Sequence, residues 1–295
     1  MQFDILIIGQ VCLDNNRDFD GSVYRDFGGG ALFSGFAAAA MGERVAVLTK
    51  SNPRTVDPVK AFAGSDGVTV FRRDSRESTL MENTFFTADR ERRISRCGGM
   101  IDPYRPEELP DVPCRVYDFA GLVRGDIGAD VILACRGRGL LALDVQCMAR
   151  RVTEDGSMVL EDWPEKRELL PCIDFLKTDA AEAEILTGLT DRAEAAKALF
   201  DWGAREIIIT HNTEVLAYDG KSVYTRPLRP RNLSGRSGRG DTAFAGYMAE
   251  RHREDIPTSL TRAAALVSLK METPGPFSGT RADVDKYIEE FYGDC

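Results

Sequence analysis

Short apolar segments recur along the chain and alternate with longer segments whose apolar residues follow the spacing of an amphipathic helix. The short segments are rich in Ile, Val and Leu, which is typical of buried strands. The predicted strands are Phe3–Ile8, Val45–Leu48, Val116–Phe119, Leu140–Val145, Ile173–Leu176 and Ile207–Thr210. The predicted helices are Ala31–Met41, Pro58–Ala63, Ala180–Leu186, Arg192–Trp202, Asp241–His252, Ser259–Lys270 and Arg281–Phe291. This alternation predicts an α/β fold with a doubly wound, mostly parallel central sheet that is flanked by helices.

One segment departs from this pattern. Val68–Gly99 alternates polar and apolar residues around a turn that we predict at Ala88, Asp89 and Arg90. A two-residue period with a tight turn favours antiparallel strands with one face open to water. Together with residues 12–26, these strands are expected to form a small β lid over the strand ends, where doubly wound sheets bind ligands. A surface hairpin without a function is the alternative. The whole chain, 1–295, is predicted to be one domain.

Composition and charge exclude several classes of protein. With 43% hydrophobic and 29% charged residues, the chain has the composition of a globular protein. The 38 basic and 47 acidic side chains give a net charge of −9, which argues against nucleic acid or an anionic membrane as a partner. No apolar run approaches the roughly 18 residues of a membrane helix, and the N-terminus lacks the basic region of a secretory signal. The seven scattered cysteines predict reduced thiols in a cytoplasmic protein, and two histidines are too few for a multi-histidine metal site.

The most informative segment is Ser234–Met248, in which three glycines within six residues lead into an apolar-periodic helix. Glycines let the backbone turn its NH groups toward one point, and a helix N-terminus adds aligned dipoles, so the segment suits a small anion such as a phosphoryl group. Asp241 lies at the entrance of this helix. The alternative is structural, since Asp is a favoured N-cap and glycine-rich loops often only join elements. The P-loop and Gly-x-Gly-x-x-Gly patterns are absent, which argues against a Walker-type NTPase or a Rossmann dehydrogenase.

Gly238-Arg239-Gly240-Asp241 and the small-residue helix after it resemble the second signature of the ribokinase (PfkB) family of sugar and nucleoside kinases. The family has Ala at the position of Arg239 and Asp-Thr at the positions of Gly235 and Arg236. The resemblance implies a ribokinase-like fold and transfer of the γ-phosphoryl group of ATP to a small polyol, with Mg²⁺. It also implies that Asp241 is the general base and that the backbone NH groups of Gly238, Arg239, Gly240 and Asp241 form an anion hole. The guanidinium of Arg236 or Arg239 is expected to pair with phosphate oxygens, with a solvent-facing arginine as the alternative.

The resemblance extends to the acceptor side of such a kinase. It implies that the substrate is bound by Asp14, Gly28, Gly29, Phe33, Gln146 and Arg150. Phe33 or Ser34 falls where a substrate-binding asparagine is common in the family. Asp144 and Gln146 are expected to share a face of one strand, with Arg150 beyond the strand end, and a structural hydrogen-bonding role is the alternative for all three. The strings Gly9–Asp14, Gly29–Phe33 and Leu143–Arg150 look like those of inositol kinases within the family.

On the donor side, the resemblance places Asp179 and Glu182 at the asparagine and glutamate of an Asn-x-x-Glu motif. Glu182 would act on Mg²⁺ through water, because Mg²⁺ keeps several waters and uses few protein carboxylates. Thr210 matches a nucleotide-contacting threonine, although Asn212 and Val215 replace glycines that usually follow. The region Met271–Phe277 lies near adenine or a monovalent cation in related kinases, which makes such a cation a further possible cofactor.

Three functional hypotheses remain open at the sequence level. The first is a kinase for a sugar or a cyclitol such as inositol. The second is a nucleoside kinase of the same family, and the third is a kinase-like protein that binds a sugar or nucleotide without catalysis. In each case the partners are small molecules, with a homodimer through the lid as a further possibility.

Overall fold

The computed structural model describes residues 2–88 and 92–293. The predicted turn therefore lies largely outside the described residues, as does Cys295. In chain order the strands are β1 (Phe3–Ile8), β2 (Cys12–Arg17), β3 (Val23–Gly28), β4 (Val45–Ser51), β5 (Val68–Asp74), β6 (Leu80–Phe85), β7 (Arg93–Gly99), β8 (Cys114–Phe119), β9 (Leu140–Asp144), β10 (Arg150–Val152), β11 (Met158–Leu160), β12 (Phe175–Asp179), β13 (Glu206–Thr210), β14 (Glu214–Tyr218) and β15 (Val223–Pro227). The helices are α1 (Gly30–Ala40), α2 (Pro58–Ala61), α3 (Ala129–Ala134), α4 (Gln146–Ala149), α5 (Lys166–Leu169), α6 (Ala180–Thr187), α7 (Arg192–Asp201), α8 (Arg239–Arg251), α9 (Ile256–Lys270) and α10 (Arg281–Phe291).

A large sheet forms the centre of the molecule. In the described part of the chain it has nine strands in the order β15-β14-β13-β12-β9-β8-β1-β4-β5. The pairs from β13 to β5 are parallel, and the antiparallel hairpin β14–β15 extends one edge. One hydrophobic cluster joins the sheet to α1, α8, α9 and α10, and a second joins its other face to α3, α6 and α7. Helices therefore cover both faces, which confirms the predicted doubly wound fold.

A smaller sheet, the lid, has the strand order β3-β2-β6-β7. Its outer pairs are antiparallel, whereas β2 and β6 are parallel. The prediction that strands of the lid begin at Val68 is wrong, because Val68–Asp74 pairs with β4 in the large sheet. An edge strand that is exposed on one face shows the same two-residue period as a lid strand, so the period alone did not separate them.

Two features of the described residues bear on the excluded classes. The cysteines between residues 2 and 293 are free, as the scattered spacing predicts. No helix in the described ranges combines the length and the apolarity that crossing a membrane requires.

Candidate active site

The N-terminus of α8 is shaped by a glycine that no other residue can replace without strain. Gly238 is the N-cap, and its φ of 73° lies in the left-handed region. A Cβ at this position would lie 2.1 Å from the ring of Phe33. Because the first helical hydrogen bond runs from Thr242 NH to Gly238 O (2.9 Å), the NH groups before it have no partner within the helix. The loop therefore presents NH groups that have no partner within the helix, together with the positive end of a helix dipole.

A basic cavity of about 230 Å³ opens at this helix start. Its basic side chains come from four different parts of the chain and are Arg93, Arg150, Lys177, Arg236 and Arg239. Phe85, Gln146, Asp179, Thr210, Ser237, Gly238, Gly240 and Asp241 complete its wall. So many cations around one cavity favour a ligand with several negative charges. We call this the donor cavity.

A second cavity of about 90 Å³ lies under the lid. Its wall includes Asp14 of β2, Gly29 and Phe33 at α1, and a set of hydrogen-bonding lid side chains. Ser95 Oγ donates to Asn83 Oδ1 (2.6 Å), and the Cys12 thiol donates to Asp14 Oδ1 (2.9 Å). A compact cavity with carboxylate, amide and hydroxyl groups on several sides suits a small ring with several hydroxyl groups. We call this the acceptor cavity.

Asp241 lies where the two cavities meet. It lines both of them, as do Gln146, Arg150 and Gly238. Burial raises the pKa of the Asp241 carboxyl and the negative charge of Asp144 adds to this, while Lys177 and Arg150 act in the opposite direction. The carboxyl is thus a stronger base than an exposed aspartate.

Lys177 and Asp144 form a buried ion pair beneath the helix start. Lys177 Nζ lies 2.8 Å from Asp144 Oδ2 and 3.0 Å from Oδ1, and both residues are buried. Burial alone would lower the pKa of Lys177, but Asp144 and the further carboxylates Glu182, Asp241 and Asp179 raise it overall. A Cβ on Gly240 would be only 3.0 Å from Lys177 Nζ, so the glycine lets the ammonium approach the α8 backbone. Sequence analysis did not predict Lys177 as a site residue, although a lysine within an apolar strand segment indicates a buried charge with a function.

Glu182 and Gly28 are the predicted site residues that line neither cavity. A Cβ on Gly28 would lie 2.4 Å from Asp14 Oδ2, so this glycine makes room for the Asp14 carboxylate. Glu182 is buried behind Asp179, whose backbone NH donates to Glu182 Oε2 (2.8 Å). Its Oε1 has no hydrogen-bond partner among the described residues and lies 3.9 Å from Arg150 Nη2. Burial is the main cause that raises the pKa of Glu182 to about 7.

The expectation that Asp144 and Gln146 share a strand face is wrong. Strand β9 ends at Asp144, and Gln146 begins the short helix α4. The cause is local, because the backbone NH of Gln146 donates to Asp144 Oδ1 (3.0 Å) and so turns the chain. Gln146 nevertheless lines both cavities, and so does Arg150 at the start of β10.

Arg239 and Asn212, two residues that depart from the family pattern, contact each other at the donor cavity. Arg239 Nη2 donates to Asn212 Oδ1 at 2.7 Å. Arg239 is half-buried, so it is not the solvent-facing arginine that the sequence left open, and burial together with Arg236 lowers its pKa to about 10. Sequence reasoning also missed Arg93, which reaches from the lid strand β7 and lines both cavities.

Comparisons with known proteins show the family to which the chain belongs. The chain matches the profile of the pfkB family carbohydrate kinases over residues 4–282. A solved pyrophosphate-dependent kinase in the ribokinase family, complexed with a pyrophosphate analog and myo-inositol, is 30% identical with a TM-score of 0.86, covering 96% of this chain and 100% of that one. A pyrophosphate-dependent myo-inositol-1 kinase converted into a myo-inositol-3 kinase is 29% identical, with a TM-score of 0.86 over 98% of this chain and 99% of that one.

A curated relative adds a different acceptor. The cytidine kinase of Thermococcus kodakarensis is 24% identical over 258 residues, which cover 83% of this chain and 87% of the relative. The ribokinase of Arabidopsis thaliana, solved with ribose and ATP, is 15% identical with a TM-score of 0.77 over 98% of this chain and 99% of that one, which shows a shared fold. The chain therefore belongs to the PfkB family of carbohydrate kinases and is a phosphotransferase that acts on a sugar or nucleoside hydroxyl group.

Proposed function

We propose that this kinase phosphorylates a hydroxyl group of a small cyclitol such as inositol and that Asp241 is the general base. The observation that carries the proposal is the position of Asp241 on the wall between a basic cavity and a small polar one. A phosphoryl donor in the first and a polyol in the second would meet at this carboxylate. The two relatives described with myo-inositol, at 29–30% identity, support the acceptor class.

In this mechanism the chain holds the two substrates in line and takes one proton. The acceptor oxygen forms a bond to the transferred phosphorus while the bond from phosphorus to the leaving phosphate breaks. Asp241 accepts the proton of the acceptor hydroxyl, a function that typically supplies about 10²–10⁴ in rate. The NH groups at the start of α8 and the side chains of Lys177 and Arg150 neutralise the charge that builds on the transferred group.

For the donor, we propose inorganic pyrophosphate rather than the ATP that the sequence resemblance implies. Pyrophosphate carries its charge over a short distance, which suits a cavity of about 230 Å³ with five basic side chains in its wall. The Arg239–Asn212 pair adds bulk where the family pattern has small residues. ATP remains the second candidate, because Thr210 and Asp179 line the donor cavity at the family's nucleotide-side positions.

The residues fit Mg²⁺ held through water. Asp179 lines the donor cavity, and Glu182 Oε1 is a buried carboxylate oxygen without a hydrogen-bond partner among the described residues. No group of three or more metal-binding side chains occurs within residues 2–88 and 92–293, in keeping with an ion that retains most of its waters. Such an ion would neutralise charge on the donor phosphates.

The proposal is tested with purified protein, Mg²⁺ and a matrix of donors and acceptors. Pyrophosphate and ATP are each combined with myo-inositol, ribose and cytidine, and phosphorylated product is measured. We expect the highest kcat/KM for pyrophosphate with a cyclitol. We expect Asp241→Asn to lower kcat by about 10²–10⁴ while the thermal shift produced by pyrophosphate is retained. Full turnover by this variant would reject Asp241 as the base, and a preference for ATP or cytidine would reject the donor or the acceptor.

A further inference from the structure

Lys270, the last residue of α9, is buried, and its contacts within residues 2–88 and 92–293 are with neutral groups. It is 0% exposed, and its Nζ donates to Gly235 O (2.6 Å) and to Ser237 O. The ammonium also lies 5.0 Å from the centre of the Phe33 ring. No carboxylate of the described residues lies within ion-pair distance of it. A buried ammonium without a counter-ion costs stability, so its presence calls for a function.

The two carbonyl groups that Lys270 binds belong to the loop that leads into α8. Gly235 is held to the end of α9 from a second side, since its NH donates to Met271 O (2.7 Å). In a trans peptide the carbonyl of one residue and the NH of the next point in opposite directions. Because the carbonyls of Gly235 and Ser237 turn toward Lys270, the NH groups of Arg236 and Gly238 turn away from it.

This arrangement determines which side of the loop presents its NH groups to a phosphate in the donor cavity. Arg236, Ser237 and Gly238 all line the donor cavity. A helix C-terminus favours a positive charge, and Lys270 supplies one at the end of α9. Burial lowers the pKa of Lys270 to about 7, while Asp241 acts to raise it and Arg239 to lower it, so the charged ammonium is the main form below about pH 7.

We infer that Lys270 is a positioning residue whose ammonium serves as an internal cation: it orients the loop of residues 235–238 for phosphoryl transfer, so the enzyme needs no monovalent metal ion there. The inference rests on the proposed function. Lys270 contacts neither substrate and acts through the loop carbonyls. In the wild-type enzyme, kcat/KM for pyrophosphate is therefore expected to be the same in KCl and in tetramethylammonium chloride of equal ionic strength.

Two substitutions separate the charge of Lys270 from its volume. Lys270→Ala removes the ammonium and leaves a space, whereas Lys270→Met removes the charge but fills most of that space. Both variants are first checked for folding by circular dichroism and thermal unfolding. We expect each to lose at least about 10²-fold in kcat/KM for pyrophosphate, the typical effect of losing one oriented backbone donor. We expect KCl or NH₄Cl to restore Lys270→Ala by at least tenfold and to leave Lys270→Met unchanged.

The outcomes are distinct. Rescue of Lys270→Ala alone by a small cation supports the inference, and tetramethylammonium chloride controls for ionic strength. Wild-type activity of folded Lys270→Ala without added cation, or loss without any rescue, overturns it. If the wild-type protein transfers no phosphoryl group, the proposed function fails separately, and the inference is still tested by the thermal shift that pyrophosphate produces. That shift should be present in the wild type, absent in Lys270→Ala, and restored in the variant by K⁺.

Discussion

At the scale of single residues, the electrostatics around Asp241 depend on three neighbouring ionisable groups, of which two form an ion pair. Asp144 is bound to Lys177, whereas Asp118 is fully buried with no hydrogen-bond partner among the described residues. Burial, with the charges of Asp144 and Asp241, raises the pKa of Asp118 well above its usual range, which favours the neutral form of this carboxyl. The ion pair and Asp241 thus carry the charge at the base of the site.

Asp144→Asn is expected to move the acidic limb of the pH–rate profile to lower pH. The negative charge of Asp144 raises the pKa of Asp241, and Lys177 lowers it, so removing Asp144 lowers that pKa by both routes. The base is active when deprotonated, so activity should persist to lower pH than in the wild type. The variant should also lose roughly 3–5 kcal/mol of unfolding free energy, because it leaves Lys177 buried without its partner. A limb that stays in place or moves to higher pH would contradict the assignment of Asp241 as the base.

Gly238→Ala is expected to reduce both activity and stability. A methyl group at this left-handed position would overlap the Phe33 ring, which is 2.1 Å from an ideal Cβ. We expect a loss of more than about 2 kcal/mol in urea unfolding and a large loss of kcat. Gly137→Ala is the matched control, because Gly137 also has a positive φ (79°) but no atom within 4 Å of its Cβ position. The control should lose only about 1–2 kcal/mol and keep full activity; equal behaviour of the two variants would show that Phe33 does not matter.

At the scale of elements, apolar patterning predicted most of the large sheet and its helices to within a few residues. It worked because strands such as β1 and β4 are buried on both faces. The prediction failed at β5, because an edge strand of the large sheet and a lid strand share the same two-residue period. It also failed after Asp144, whose side chain turns the backbone. The glycine-rich loop was visible because its residues are contiguous. Arg93 and Lys270 were missed because only long-range packing brings them to this loop.

The contact between the loop after β13 and the start of α8 offers a test of donor choice. The double variant Asn212→Gly/Arg239→Ala restores residue types that the family pattern has. Removing the Arg239–Asn212 hydrogen bond and one cation should lower kcat/KM for pyrophosphate by about tenfold or more, since a charge-assisted hydrogen bond contributes about 1.5–3 kcal/mol. The ratio of kcat/KM for ATP to that for pyrophosphate should rise. The two single variants serve as controls, and an unchanged ratio would exclude this pair from donor selection.

At the scale of the whole molecule, one buried carboxylate joins the three helices of the C-terminal third. Glu250 of α8 is 0% exposed and accepts a hydrogen bond from Arg281 Nη2 of α10 (2.9 Å), and its Oε2 lies 3.4 Å from Arg262 Nε of α9.

A homodimer through the lid, where Val23 is exposed on the edge strand β3, stays a prediction that light scattering can test.

Glu250→Ala is expected to lower the free energy of unfolding by roughly 1–3 kcal/mol, because it removes a buried acceptor and leaves the half-buried Arg281 without its partner, whereas Arg262 keeps its ion pair with Asp285. Urea denaturation followed by circular dichroism measures this loss. Glu194→Ala is the control, since Glu194 pairs with Lys197 on the exposed surface of α7 (2.7 Å) and should contribute under about 1 kcal/mol. Similar losses in the two variants would mean that the Glu250 cluster does not hold the helices together.

A crystal structure of the protein with a non-hydrolysable pyrophosphate analogue and a cyclitol bound together tests the position of Asp241 between donor and acceptor. We expect the analogue among the basic side chains of the donor cavity and one ring hydroxyl within about 3 Å of the Asp241 carboxylate, on the side opposite the leaving phosphate. An acceptor bound with every hydroxyl out of reach of Asp241, or an analogue bound away from the start of α8, would contradict it.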